Sequence, residues 1–288
     1  MLTIRLDKPI TDLTLPLLRR DKLLEGDKGG ILHLVDFANR YSWSGGAPVN
    51  GATIKDVAEK GNATFYLDAG QAVGFSGNGV DFSALTNHGA WSQIPARVAA
   101  SIWGDGAQAQ YFLMCMYVRL PTEADFNSGS TLVPMMTFSP GAGQGYQTGP
   151  EIAVIGQAIN KSLTFRRQKA LNTAESKNLV IQAGEFGKFA QVAMWRDATG
   201  QHCSVKTQDG GLRSSVFAEG VSTNNTVNFS AAVGGVGQAK AFGPAGDLTA
   251  YNWKLYRHFV ENLRISGRNA TDVLEADWLR TVSRSVFS

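Results

Sequence analysis

Phe189-Ala-Gln-Val-Ala-Met-Trp-Arg196, then Asp197-Ala-Thr-Gly200, then His202-Cys-Ser-Val-Lys-Thr207, then Asp209-Gly-Gly211 reads as strand, turn, strand, turn. The Asp, Thr and Gly residues tolerate tight-turn backbone, and the runs between them are of strand length. Upstream, Tyr111–Leu120 is apolar on both parities, as a strand covered on both faces must be, and is the predicted central strand. Ile31–Ala38, Ala63–Asp68, Gln71–Phe75, Leu132–Phe138, Glu151–Ile155 and Ser162–Gln168 extend the series. The closing strands are Val227–Val233 and Trp253–Ile265, the latter carrying Trp253, Leu255, Val260, Leu263 and Ile265. Pro140–Pro150 is a Gly-rich loop too long for a tight hairpin, and 32 Gly in 288 residues favour many turns over long helices. The pattern predicts an all-β antiparallel sandwich or barrel.

Two ends depart from it. Asn269 caps a predicted C-terminal helix over 269–288, with Asp272 and Glu275 near its positive end. Leu274, Trp278, Val282 and Val286 recur every four residues and form the stripe that faces the sandwich. A shorter helical stretch is read at Thr53–Lys60. Residues 1–30 form an N-terminal arm that mixes charge with leucines and ends in the pair Gly29-Gly30, read as a hinge. Its Leu13, Leu15, Leu17, Leu18, Leu23 and Leu24 expose apolar area unless they dock on this domain, a sister subunit or another protein, and neighbouring subunits are the leading choice. The domain plan is therefore arm 1–30, sandwich 31–268 and helix 269–288.

Several function classes drop out. Twenty-seven Lys and Arg against 24 Asp and Glu leave +3, too little and too evenly spread for nucleic-acid binding. The longest apolar run, Tyr111–Val118, is far short of a membrane-spanning helix, and the charged N-terminus lacks the apolar core of a secretory peptide. Cys115 and Cys203 read as buried thiols, and the sequons at Asn62, Asn160 and Asn224 as polar loops.

Chemistry is sparse. A glycosidase needs two flanking carboxylates. Glu123 and Asp125 follow Pro121 in a loop, and Glu275 and Asp277 point apart on the helix. His33, His88, His202 and His258 stand singly, without a zinc-ligand spacing. No Gly-x-Ser-x-Gly elbow exists, and Gly234–Lys240 lacks the Gly and the Ser or Thr that flank the Lys of a phosphate loop. No catalytic residue, cofactor or metal is expected. The aromatic residues offer one binding feature: Tyr41 and Trp43 flank a Ser-rich turn, and Trp91 and Trp103 lie near loops, where they form candidate sugar-stacking surfaces.

Two segments carry a resemblance. Gly187–Gly200 resembles a strand and turn of concanavalin A-like (laminin-G-like) jelly rolls, in which an aromatic, Val-Ala and Arg-Asp-x-x-Gly recur. Leu255–Arg268 resembles the closing strand of bacteriophage virion proteins that carry such a jelly roll, with Val260-Glu-Asn-Leu-Arg-Ile-Ser-Gly-Arg268 followed by an acidic helix. Phe189 stands where many members have Trp, and the calcium-binding acids of some laminin-G modules have no counterpart. The resemblance implies an all-β, two-sheet antiparallel jelly-roll sandwich used as a subunit of the virion, assembled in the host cytoplasm. The leading expectation is a non-enzymatic virion structural protein, a capsid decoration or tail subunit, homo-oligomeric and attached to other virion proteins through its arm. The alternative is a lectin-like module that binds host-surface glycan through Trp43, Trp91 or Trp103.

Overall fold

A computed structural model describes residues 21–103, 110–127, 132–139, 152–170, 173–217, 228, 230–239 and 250–288. The strands of the first half are β1 (Ile31–Asp36), β2 (Thr53–Ile54), β3 (Ala63–Leu67), β4 (Gly74–Ser76), β5 (Gly79–Asp81), β6 (Ala90–Ile94), β7 (Phe112–Arg119) and β8 (Leu132–Ser139). Those of the second half are β9 (Ile152–Gln157), β10 (Ser162–Ala170), β11 (Thr173–Val180), β12 (Phe189–Asp197), β13 (Gly200–Thr207), β14 (Gly211–Val216), β15 (Val233–Gln238) and β16 (Lys254–Asn262). Three helices, α1 (Ala96–Trp103), α2 (Leu263–Ser266) and α3 (Ala270–Ser283), join them.

The strands form two eight-stranded antiparallel sheets. The first runs β14-β13-β12-β7-β16-β5-β4, with β1 also paired to β16, and the second runs β11-β10-β9-β8-β15-β6-β3-β2. The chain crosses repeatedly between sheets, so the fold is the expected two-sheet jelly-roll sandwich with a C-terminal helix. In the β12–β13 hairpin Asp197 pairs with Gly200, and the Asp197 carboxylate accepts from Thr199 N at 2.7 Å to close the turn.

Strand β7 explains its own sequence. Phe112, Met114, Met116 and Val118 enter the core between the sheets, while Leu113, Cys115 and Tyr117 enter a second core behind the first sheet. Helix α3 covers that second core with Val273, Leu274 and Trp278, and Trp278 stacks on Tyr117 with ring centroids 6.4 Å apart. Asn269 caps α3 by accepting from Thr271 N and Asp272 N.

Four local expectations are corrected. Thr53–Lys60 is not helical; it holds the two-residue strand β2 and a turn, because Asp56 accepts from the backbone of Leu34, Ala58 and Lys60. The closing strand ends at Asn262, not Ile265, because the Asn262 side chain accepts from Arg264 N and Ile265 N and starts α2. Strand β15 begins at Val233, where the Val227–Val233 reading ended. Gly30 is not a hinge: its carbonyl accepts from Asn262 N, and a Cβ there would lie 2.6 Å from Ser266 Cβ.

The resembling segment Glu261–Arg268 forms a corner. Arg268 clasps Glu261 through two 2.8 Å hydrogen bonds and donates a third to Leu23 O, while Gly267 leaves α2 at φ +65°.

Candidate functional site

In the second sheet, alternation sends Ala63, Phe65, Ala90 and Ile94 into the inter-sheet core, so Thr64, Tyr66, Trp91 and Gln93 face outward. Tyr66 and Trp91 are direct cross-strand partners and stack with centroids 5.2 Å apart and planes 13° apart. Both are half-buried. On the other flank of Trp91 the register places Gly237, at φ +133°, where a Cβ would lie 2.6 Å from Ala90 O and 2.8 Å from Trp91 Cα. That flank therefore carries no side chain, and Gly237 itself is buried. The next rung continues Thr64, Gln93, Gly235, Thr137 and Ala153 across the sheet, all small or polar. Thr137 and Ala153 are closed to solvent, so the accessible aromatic surface is at the β3–β6 end. The Trp91 indole N–H and the Thr137 hydroxyl are buried without a hydrogen-bond partner.

The expected stacking residues separate. Trp91 stands on this surface. Trp43 is half-buried in the loop after β1, edge-on to Phe37, with its indole N–H donating to Gly46 O at 2.9 Å; it pins its own loop. Trp103 is fully enclosed, because α1 turns the stripe Val98, Ala99, Ile102 and Trp103 inward, and its ring packs between Phe112 and Phe138 at 5.7 and 4.9 Å. It offers no face to a ligand. Tyr66 was missed by the sequence reading, although the alternation Ala63, Phe65 against Thr64, Tyr66 carries the signal.

Among the arm leucines, Leu13, Leu15, Leu17 and Leu18 lie outside the described residues. Leu23 is 1% exposed and Leu24 is partly buried, and both pack in this chain's own second core. The expectation that these two seat in a partner is thus corrected: Asp21 caps a short turn over Lys22–Leu24 and drives Leu23 inward beside α3.

Behind the first sheet lies a cavity of about 650 Å³ between Ala38–Tyr41, Asp21–Lys22 and α3. On its floor Arg257, 1% exposed, binds Asp21 at 2.6 Å, Asp36 at 2.9 Å and Asp277 at 3.1 Å. Arg284 also binds Asp36, and Arg280 binds Asp277 at 3.1 Å. Burial raises the Asp21 carboxyl, but the Arg257 guanidinium and its hydrogen bond outweigh that and hold it below the ordinary carboxylate value. Sequence reasoning missed this cluster because Asp36 and Arg257 are 221 residues apart and meet only through the β1–β16 register.

The carboxylates considered for hydrolysis do structural work. Glu123 pairs with Lys161 at 2.9 Å, and Asp125 accepts from Thr122 N and Asn252 N. Glu275 pairs with Lys206, and Asp277 is neutralised by two arginines. His33 and His258 are fully buried with rings 5.4 Å apart. Desolvation lowers both, His33 to about 4. No group of three or more metal-ligating side chains that could hold a metal occurs among the described residues.

No family model and no curated protein matches this chain. Among solved structures, it is similar to a Trypanosoma rangeli sialidase in complex with sialic acid, at 14% identity and TM-score 0.47, over 85% of this chain and 32% of that one. It is similar to a botulinum neurotoxin type C structure, whose cell entry depends on two ganglioside molecules, at 11% identity and TM-score 0.44, over 79% and 49%. A Ruminococcus gnavus sialidase CBM40 bound to α2,3 sialyllactose matches at 7% identity and TM-score 0.36, over 53% and 76%. The chain thus spans about a third of the sialidase and half of the toxin. These likenesses leave function to be argued from the chain's own surfaces.

Proposed function

We propose that this chain is a non-catalytic saccharide-binding module that stacks a sugar ring on the Tyr66–Trp91 pair. The observation that carries the reading is the pair itself: two half-buried rings 5.2 Å apart and near-parallel on an outward face. A pyranose presents C–H groups on one face and hydroxyls at its rim. A π-surface takes the first, and Thr64 and Gln93 on the neighbouring rung are placed for the second. This replaces virion assembly as the leading reading, because the described part of the arm is docked on its own sandwich.

The test is a titration of the full chain with neutral oligosaccharides, followed by tryptophan fluorescence and repeated with Trp91→Ala. Saturable quenching that disappears in the variant is the expected result; equal binding by both proteins would sink the assignment. Location in a virion, and homo-oligomeric attachment to other virion proteins, rest on the resemblance of Leu255–Arg268 alone. Co-sedimentation with particles lacking the protein tests that location, and a display module on a particle surface would satisfy both readings.

A further inference from the structure

The cavity behind the first sheet differs in chemistry from the aromatic pair. Its lining contains five cationic side chains and three carboxylates. Arg257, Arg280 and Arg284 are matched by Asp21, Asp36 and Asp277, so this cluster is formally neutral and its carboxylates are all engaged. Lys22 and Arg40 remain, both exposed on the lining, and neither has a carboxylate partner among the described residues. The lining therefore carries a surplus of two positive charges. Arg257 adds a built feature: it is 1% exposed, and its Nε–H is buried without an acceptor, although its two terminal nitrogens bind three carboxylates. Held by three carboxylates, this guanidinium makes a rigid floor, and the cations that an entering anion meets are Lys22 and Arg40 at the exposed lining.

The neutral part of the lining includes Asn39, Tyr41 and Thr281, which offer an amide, an aromatic ring and a hydroxyl. The volume lies within the range of small-molecule sites, roughly 300–1,000 Å³. We propose that this cavity is a second subsite, which takes the acidic group, carboxylate or sulfate, of a charged saccharide, with Lys22 and Arg40 as its capturing cations. The saccharide class rests on the proposed function; the anion preference rests on this cavity alone.

The full chain is titrated calorimetrically with three probes: a glucuronate-bearing disaccharide, a sulfated disaccharide and the neutral parent. The same series is run on Lys22→Gln/Arg40→Gln, two exposed positions, and on Trp91→Ala. Saturable binding of at least one acidic probe is expected, tighter than the neutral parent and weakening with added salt. The double variant should lose roughly tenfold in affinity for it, and Trp91→Ala should leave it unchanged. Which acidic probe binds identifies the group. Equal affinity for the neutral parent, an unmoved double variant, or no saturation by either acid would overturn the proposal, as would loss of acid binding in Trp91→Ala. Neutral binding lost with Trp91 while acid binding is absent sinks this subsite and leaves the aromatic site standing; the reverse pattern sinks the aromatic site only.

Discussion

The two outer faces of the sandwich have opposite fates. Behind the first sheet, Leu113, Cys115, Tyr117, Ala193, Trp195, Tyr256 and Phe259 are sealed by α3, Leu23 and, in part, Phe287. On the second sheet, the outward rungs carry Thr64, Tyr66, Trp91, Gln93, Gly235, Gly237 and Thr137 instead. A face that is apolar across several strands must recruit a third layer, whereas on the second face Gly235, Gly237 and Thr137 are buried and the β3–β6 rungs, with Thr64, Tyr66, Trp91 and Gln93, stay partly exposed. The covering layer also brings ions with it: α3 delivers Asp277 and Arg280 onto the buried guanidinium of Arg257. The first face is thus bound by charge as well as by packing, and the second keeps two buried polar atoms, the Trp91 indole nitrogen and the Thr137 hydroxyl, without a partner.

Removing the centre of the network is the harshest way to test that contrast. Arg257→Ala leaves Asp36 and Asp277 buried with only their peripheral arginines as ion partners, and Asp21 without its cation. Breaking a buried ion cluster by deleting one member costs about 3–5 kcal/mol. Denaturant unfolding should show a loss of that size; a cost under about 1 kcal/mol would mean that packing alone holds the third layer.

Acid offers a second probe at the same edge. His33 and His258 lie on β1 and β16, on the core side of the strands that carry Asp36 and Arg257 outward. Burial lowers both: it outweighs the pull of the nearby Asp56 carboxylate on His33, which falls to about 4, and His258 is further lowered by His33 and Arg257. The unfolded chain binds protons near the ordinary value of about 6.5 while the folded chain still refuses them. Stability is therefore complete above that pH and declines as pH falls toward 4, by on the order of 3 kcal/mol from His33 alone. Unfolding midpoints measured from pH 7.5 to 4.5 should fall steadily, and His33→Asn should flatten the slope. A level wild-type profile would contradict the buried neutral pair.

Much of this was legible from residues. The two-parity run Tyr111–Leu120 forecast a strand covered twice, and the Leu274, Trp278 and Val282 stripe forecast the cover. Helix α1 was missed although Pro95 precedes it and Val98 and Ile102 are one turn apart, because a single inward turn of eight residues is hidden among strands. Its missing explains the misplaced Trp103. Of the three tryptophans proposed for a sugar, the sequence could not rank exposure, since a Trp beside a loop is as readily a pin, as Trp43 is, as a platform. Strand registers decide the rest: Tyr66 against Trp91, and Asp36 against Arg257, are pairings between distant segments that no local pattern encodes.

The smallest expected effect gives the sharpest comparison, because the same atom is removed from each face. The Tyr117 hydroxyl, on the covered face, donates to Asp277 Oδ2 at 2.8 Å and accepts from Gln191 Nε2 at 2.7 Å. Tyr117→Phe strips a charge-assisted partner from a buried carboxylate and should cost about 1.5–3 kcal/mol. The Thr137 hydroxyl, on the other face, is just as buried but has no partner. Its replacement in Thr137→Val keeps the shape and removes an unmet desolvation cost, so stability should stay level or rise by up to about 1 kcal/mol. Opposite signs in paired unfolding experiments are the expected outcome. If Thr137→Val destabilised the fold as much as Tyr117→Phe, the hydroxyl would be serving the folded structure, and the second face would no longer be the one with hydrogen bonds left to give.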